Sequence, residues 1–222
     1  MPETVTYAIG DIHGCFDQLA RLVFECRRHC GRRRFKFVFL GDYVDRGPDT
    51  RKVVEYLMHL QNEAPERVIC LKGNHEDMLL TAARSGSPDT VLWWLLQGGL
   101  QTLQSYAVAH PRDIPASHLG WLATLPLYHD DGVRFFVHAG VRPGVALAKQ
   151  TVHDMLWIRE PFLSEDYHFG RFVVHGHTPT DGLPDCRPYR LNLDTGAVGG
   201  GPLTAAVFLD EAPVEFLSLS RD

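Results

Sequence analysis

Five short stretches carry residues able to do chemistry: I-G-D-I-H-G (9–14), L-G-D-Y-V-D-R-G (40–47), K-G-N-H-E (72–76), V-H-A-G (137–140) and V-H-G-H-T (174–178). Each sets Asp, His or Asn beside glycine at the end of a short apolar run. One such end is usually a helix cap; five in one chain point to a site. Asp11 and His13, two apart, can point the same way from an extended loop and chelate one ion. Asp42 can use both carboxylate oxygens to bridge two ions, which two-metal hydrolytic sites hold about 3.5–4 Å apart. Asn74, His138 and one histidine of H-G-H, either His175 or His177, would complete the second ion. Mixed nitrogen and oxygen ligands without cysteine suit Mn²⁺, Fe or Zn²⁺ in a reactive rather than a structural site. Two divalent ions bring about four positive charges, against roughly three from Asp11, Asp42 and a bridging hydroxide. The residual field suits a phosphate. His75, beside Asn74, stays open at this level between ligand, base, acid and helix cap.

These residues need a scaffold that brings five chain segments together. V-T-Y-A-I (5–9), F-K-F-V-F-L (35–40) and R-V-I-C-L (67–71) read as buried strands. Between them, 16–30 and 50–60 read as amphipathic helices, the first stopped by Gly31. This βαβαβ order predicts a parallel core with ligands gathering at the carboxyl ends of its strands. The segment from about 76 to 125 reads as an inserted helical region broken at 85–88, 98–99 and 110–115. A hairpin follows within 125–140, turning at Asp131-Gly132, and then strands at 171–177, 189–196, 203–210 and 214–220. The expected organisation is one α/β domain over residues 1–222 with that helical insertion.

Composition narrows the class. The chain has 222 residues, 45% hydrophobic and 22% charged, enough for a sizeable core. A net charge of -5 argues against nucleic-acid or membrane-surface binding. The cationic run C-R-R-H-C-G-R-R-R (26–34) reads as the solvated end of a helix. Five cysteines without a C-x-x-C pair argue against a disulfide framework; Cys26 and Cys30 read as packing. No signal-like N-terminus and no apolar run of membrane length is present, so a cytoplasmic protein, monomeric, is expected.

In their order, G-D-I-H-G, G-D-Y-V-D-R-G, G-N-H-E, H-A-G and G-H-T resemble the PPP serine/threonine phosphatases, calcineurin-like metallophosphoesterases of the bacteriophage lambda phosphatase type. The likeness continues through W-W-L-L-Q-G-G (93–99), L-W-I-R-E (156–160) and L-D-T-G-A-V (193–198). It implies an α/β/β/α fold with mixed sheets between helices, and two divalent ions, most simply Mn²⁺. It implies Asp11, His13 and Asp42 as ligands of the first ion, and Asn74, His138 and His177 of the second, with Asp42 shared. His75 matches the family's general acid, held by Asp45, while Arg46 and Arg159 match its phosphate clamp. The implied reaction is in-line attack by a hydroxide bridging the ions, on phosphoserine or phosphothreonine in a phosphoprotein or phosphopeptide, and on phosphotyrosine as an extension.

A related activity, symmetrical bis(5'-nucleosyl)-tetraphosphatase, shares most of these motifs. Those enzymes typically read A-R-G and G-N-H-D where this chain reads D-R-G and G-N-H-E, and Asp45 favours an alkoxide leaving group. Trp93, Trp94 and Trp157 read as packing, and Glu76 as support for His75 or for the helix start. His29, His59, His110, His118, His129, His153 and His168 are expected to be surface or core residues.

Overall fold

The structure, a computed structural model, describes residues 4–209 and 215–221. Strands β1 (Thr4–Ile9), β2 (Arg34–Phe39) and β3 (Val68–Cys70) run parallel, connected by α1 (Phe16–Cys30) and α2 (Thr50–Glu63). The expected series is therefore present, with α2 one turn longer than the sequence pattern indicates. The sheet is mixed, because β9 (Leu203–Leu209) and β10 (Glu215–Leu219) add antiparallel on the β1 side, in the order β10-β9-β1-β2-β3. Positions 210 and 214, expected within these two strands, lie outside the described residues.

The second sheet contains β4 (Tyr128–Asp130), β5 (Arg134–Val137), β6 (Phe172–His175), β7 (Asp185–Cys186) and β8 (Arg190–Asn192), ordered β4-β5-β6-β8-β7. Its three central strands, β5, β6 and β8, are again parallel. The β4–β5 hairpin turns at Asp131, whose carboxylate accepts the N–H groups of Val133 and Arg134. Side-chain alternation along the strands builds the layers. Tyr7, Ile9, Phe37 and Phe39 face α1 and α2, whereas Ala8, Val38 and Leu40 face the second sheet. There they meet Phe136, Val174, Leu191 and Leu193, while Phe135, Val137 and Val173 turn outward onto Met155, Ile158 and Phe162. The result is helix, sheet, sheet, helix.

The region after β3 is helical as expected: α3 (Asn74–Ser85), α4 (Pro88–Trp94), a π-type turn (Leu95–Gly99), α5 (Leu100–Tyr106) and α6 (Ala116–Thr124). Gly86 closes α3 in a left-handed conformation, and Pro88 opens α4. Two elements go beyond the expectation, the helix α7 (Val152–Trp157) and β7, and both are too short for periodicity to register. All five cysteines are free, and burial pushes the Cys26 thiol up to about 12, consistent with packing. No helix among the described residues is long and apolar enough to cross a membrane.

The two sheets must stay in register because each delivers part of the site. Leu191 lies fully buried between them. Leu191→Ala is expected to cost about 2–5 kcal/mol of unfolding free energy, measured by denaturant titration.

Candidate functional site

At the carboxyl ends of β1 and β2 the chain turns through left-handed backbone at residues that have side chains. His13 (φ 43°), Asp42 (φ 53°), Asp45 (φ 70°), Arg46 (φ 65°) and, after β6, His177 (φ 69°) account for five of six such non-glycine residues described. Each left-handed residue costs on the order of 1–2 kcal/mol, and such strain persists where surrounding contacts over-determine it. The contacts are visible. The Asp42 carbonyl accepts the N–H groups of Ile12 (3.1 Å) and His13 (2.8 Å), tying the two corners together. Glu76, fully buried, accepts N–H groups from Asp42 (2.9 Å), Tyr43 (2.8 Å), Val44 (3.3 Å) and Gly73 (2.8 Å). Glu76 thus supports the helix start, one of its two expected roles, and also braces the 42–44 corner; it makes no hydrogen bond to the His75 ring. Gly73 is required at this junction, since a Cβ there would lie 2.2 Å from Asp42 Oδ1.

Asp42 sits where two groups of possible metal donors meet: His13, Asp42 and His75, and Asp42, His138 and His177. Its carboxylate lies 3.4 Å from His13 Nε2 and 3.4 Å from His138 Nε2. His13 donates its Nδ1–H to the Val44 carbonyl (2.8 Å) and His138 its Nδ1–H to the Leu40 carbonyl (3.0 Å). Both therefore turn an Nε2 lone pair inward, as metal-binding histidines do. Burial works against ionising Asp42, yet His138, His75 and His13 hold it well below the usual carboxylate range. Burial, reinforced by His138, pushes His177 down to about 3, so its ring is neutral.

The remaining expected ligands divide. Asn74 joins the second group, its Oδ1 2.8 Å from His138 Nε2 and 3.1 Å from His177 Nδ1. Asp11 adjoins it differently, with its carboxylate accepting the His177 N–H at 3.1 and 3.2 Å. Asp11 is absent from the first donor group, and His75, expected as the general acid, takes a place in it. Burial, together with Asp194 and Asp42, raises the Asp11 carboxyl well above its ordinary value. His175 lies apart, fully buried with its ring 4.9 Å from that of Phe162.

His75 faces Asp45, with Nδ1 2.8 Å from Oδ2. Asp45 is itself fully buried and receives two further donors, Trp94 Nε1 on Oδ2 (2.9 Å) and Thr102 Oγ1 on Oδ1 (2.7 Å). Both come from the helical insertion. Trp94 is packing, as expected, and also orients this carboxylate; Thr102 carries no sequence signal. Gly98 (φ 106°) lets the insertion press on Arg46: its carbonyl accepts the Arg46 N–H at 3.0 Å, and a Cβ would lie 2.7 Å from Arg46 Cγ. Arg46 and Arg159 line one cleft of about 280 Å³ together with Asp42, Asn74, His75, Gln97, Trp157 and His177. Trp157, expected as packing, is half-buried and forms part of this cleft's wall.

Comparison with known proteins matches residues 5–202 to the calcineurin-like phosphoesterases. The chain belongs to that family. Serine/threonine-protein phosphatase 1 of Salmonella typhimurium is 32% identical, covering 90% of both chains. A symmetrical bis(5'-nucleosyl)-tetraphosphatase of Dechloromonas aromatica is 35% identical, covering 97% of this chain and 99% of its own. Two other tetraphosphatases of that kind match over only 55% and 45% of their length. The fold is shared with a Saccharomyces cerevisiae protein serine/threonine phosphatase, at a TM-score of 0.71 and 15% identity over all of this chain and 81% of the other.

Calcineurin-like phosphoesterases work with a pair of divalent ions, and the donor set here fits them. With the His138 Nδ1 proton committed to Leu40, the Asn74 oxygen and His138 Nε2 face each other at 2.8 Å. Without an ion, the reversed amide would instead donate to His138, His177 and Asp42. With its oxygen inward, Asn74 would offer that oxygen to a cation among these atoms. Arg46 Nη1, 2.9 Å from His13 Nε2, likewise places positive charge against the other lone pair.

Because Glu76 braces the Asp42 corner, Glu76→Gln would put an NH₂ group against N–H donors. The expected loss is about 1–3 kcal/mol of stability and roughly 10–100-fold in metal affinity, read by denaturant titration and by metal titration.

Proposed function

We propose that this chain is a metal-dependent phosphomonoesterase that removes phosphate from phosphoserine and phosphothreonine in proteins, with phosphotyrosine as a further substrate. The observation that carries this reading is the His75–Asp45 pair at the edge of the cleft. A serine or threonine alkoxide is a strongly basic leaving group, and its departure needs a proton. With Nδ1 committed to Asp45, the proton available to the substrate is on His75 Nε2. Trp94 and Thr102 fix Asp45, and Asp45 holds the His75 ring at one angle.

The proposed ligands are Asp11, His13 and Asp42 for one ion and Asn74, His138 and His177 for the other, with Asp42 shared. This mixed oxygen and nitrogen set suits Mn²⁺, with Fe and Zn²⁺ as alternatives. When bound, such an ion pair polarises the phosphoryl group and makes water nucleophilic near neutral pH. Arg46 and Arg159 present guanidinium forks to the phosphoryl oxygens and stabilise charge as it develops there. Trp157 and Gln97 complete the wall of this cleft.

A second reading, symmetrical diadenosine tetraphosphate hydrolysis, is favoured by the 35% identity and near-complete mutual coverage with the Dechloromonas aromatica relative. A nucleotide phosphate departs without much proton donation, so the His75–Asp45 pair has less to do in that reaction. The substrates separate the two: phosphoserine peptide should be cleaved in preference to diadenosine tetraphosphate. His75→Asn should lower turnover of the peptide by about 10²–10⁴-fold and that of p-nitrophenyl phosphate much less, because p-nitrophenolate leaves readily. Metal content should be retained. Preference for the dinucleotide would overturn the phosphoprotein reading, and loss of an ion would make His75 a ligand.

A further inference from the structure

Immediately beside the cleft, the insertion exposes an apolar ledge. Leu92, Trp93, Leu96 and Leu100 are four of the twelve large hydrophobic side chains exposed among the described residues, and they fall within nine positions. Leu96 is 75% exposed and Trp93 47%. The inward face of the same helices is already used: Trp94 and Gly99 are buried, and Val91 and Leu95 pack against the core. A surface helix normally carries polar residues on its outer face; here both faces are apolar. From Thr90 to Pro111 there is no Asp, Glu, Lys or Arg, although the whole chain is 22% charged.

The ledge is continuous with the cleft. Trp93 packs on Trp157, ring centroids 6.2 Å apart, and Trp157 is a cleft wall whose ring also lies 6.1 Å from that of His177. Gln97, next to Leu96, is another. A substrate with its phosphoryl group between Arg46 and Arg159 has Trp157 beside it and Trp93 just beyond Trp157. The charge distribution selects among candidates. Phosphates beyond the one in the cleft would meet in segment 90–111 no Lys or Arg, whereas an apolar side chain there would be removed from water.

We infer that Trp93, Leu96 and Trp157 determine substrate choice by docking a bulky apolar side chain next to the phosphoserine or phosphothreonine of a polypeptide, an inference that rests on the phosphoprotein reading above. Burying one such side chain on the ledge gives a discrimination of about tenfold or more, the scale at which apolar fit separates substrates.

The experiment compares kcat/KM for two phosphoserine peptides differing only in the flanking residues, leucine or phenylalanine in one and serine or asparagine in the other. Diadenosine tetraphosphate and p-nitrophenyl phosphate are assayed beside them. The metal-loaded full chain should prefer the apolar peptide by about tenfold. That ratio should fall to within about twofold in Trp93→Ala and in Leu96→Ser, and return in Leu96→Met, since only apolar contact is required. Both side chains are exposed, and circular dichroism of each variant establishes that it is folded. Peptide hydrolysis without preference, or a preference that survives both substitutions, would overturn this inference and leave the phosphoprotein reading standing. Cleavage of the dinucleotide with neither peptide turned over would overturn both. A dimer in sedimentation that Leu96→Ser dissociates would mean that a second copy covers the ledge, which also overturns the inference.

Discussion

The site depends on holding one buried carboxylate, that of Asp42, at a corner where its backbone is left-handed. The backbone and side chain of this residue are both fully engaged. Its N–H goes to Glu76, its carbonyl takes the N–H groups of Ile12 and His13, and its Oδ1 takes the His75 N–H at 3.0 Å. A buried anion in strained backbone is costly on both counts. Here the cost is offset by backbone hydrogen bonds that hold the corner on both sides. Loops 11–13 and 42–46 and the first turn of α3, 74–76, are in effect one hydrogen-bonded unit at the end of the first sheet.

The second sheet completes that unit from the other side. His138 and His177 follow the carboxyl ends of its strands β5 and β6, and the His177 N–H on Asp11 joins the two sheets across the site. The carboxyl ends of parallel strands meet here from both sheets, so sandwich packing through Ala8, Val38, Phe136 and Leu191 sets distances between prospective ligands. The insertion acts on the opposite flank. Trp94 and Thr102 fix Asp45, and Asp45 fixes His75, so a helical region without a charged residue from 90 to 111 reaches the chemistry through one carboxylate.

Much of this is legible in the residues. Strands β1 to β3 and helices α1 and α2 announce themselves by period, and the glycine-flanked Asp, His and Asn stretches announce the site. The insertion is legible to its breaks, because Gly86, Pro88 and Gly98 act locally. What stays hidden is what depends on distant packing. Glu76 reads as a helix-start residue, and only the fold brings four N–H groups to it from two loops. Thr102 has no local pattern at all, and Trp157 looks like any buried tryptophan until α7 sets it on the cleft. The first donor group shows the same limit, since spacing pairs Asp11 with His13 whereas folding sets His75 beside His13 and gives Asp11 to the His177 N–H.

The proposed sharing of Asp42 between two ions is tested most directly by metal stoichiometry. Protein equilibrated with Mn²⁺, freed of excess and measured by elemental analysis should hold two ions per chain. Asp42→Asn should lose both under the same conditions, while His138→Asn should lose only one. Two ions retained in Asp42→Asn, or a single ion in the unaltered protein, would contradict the account.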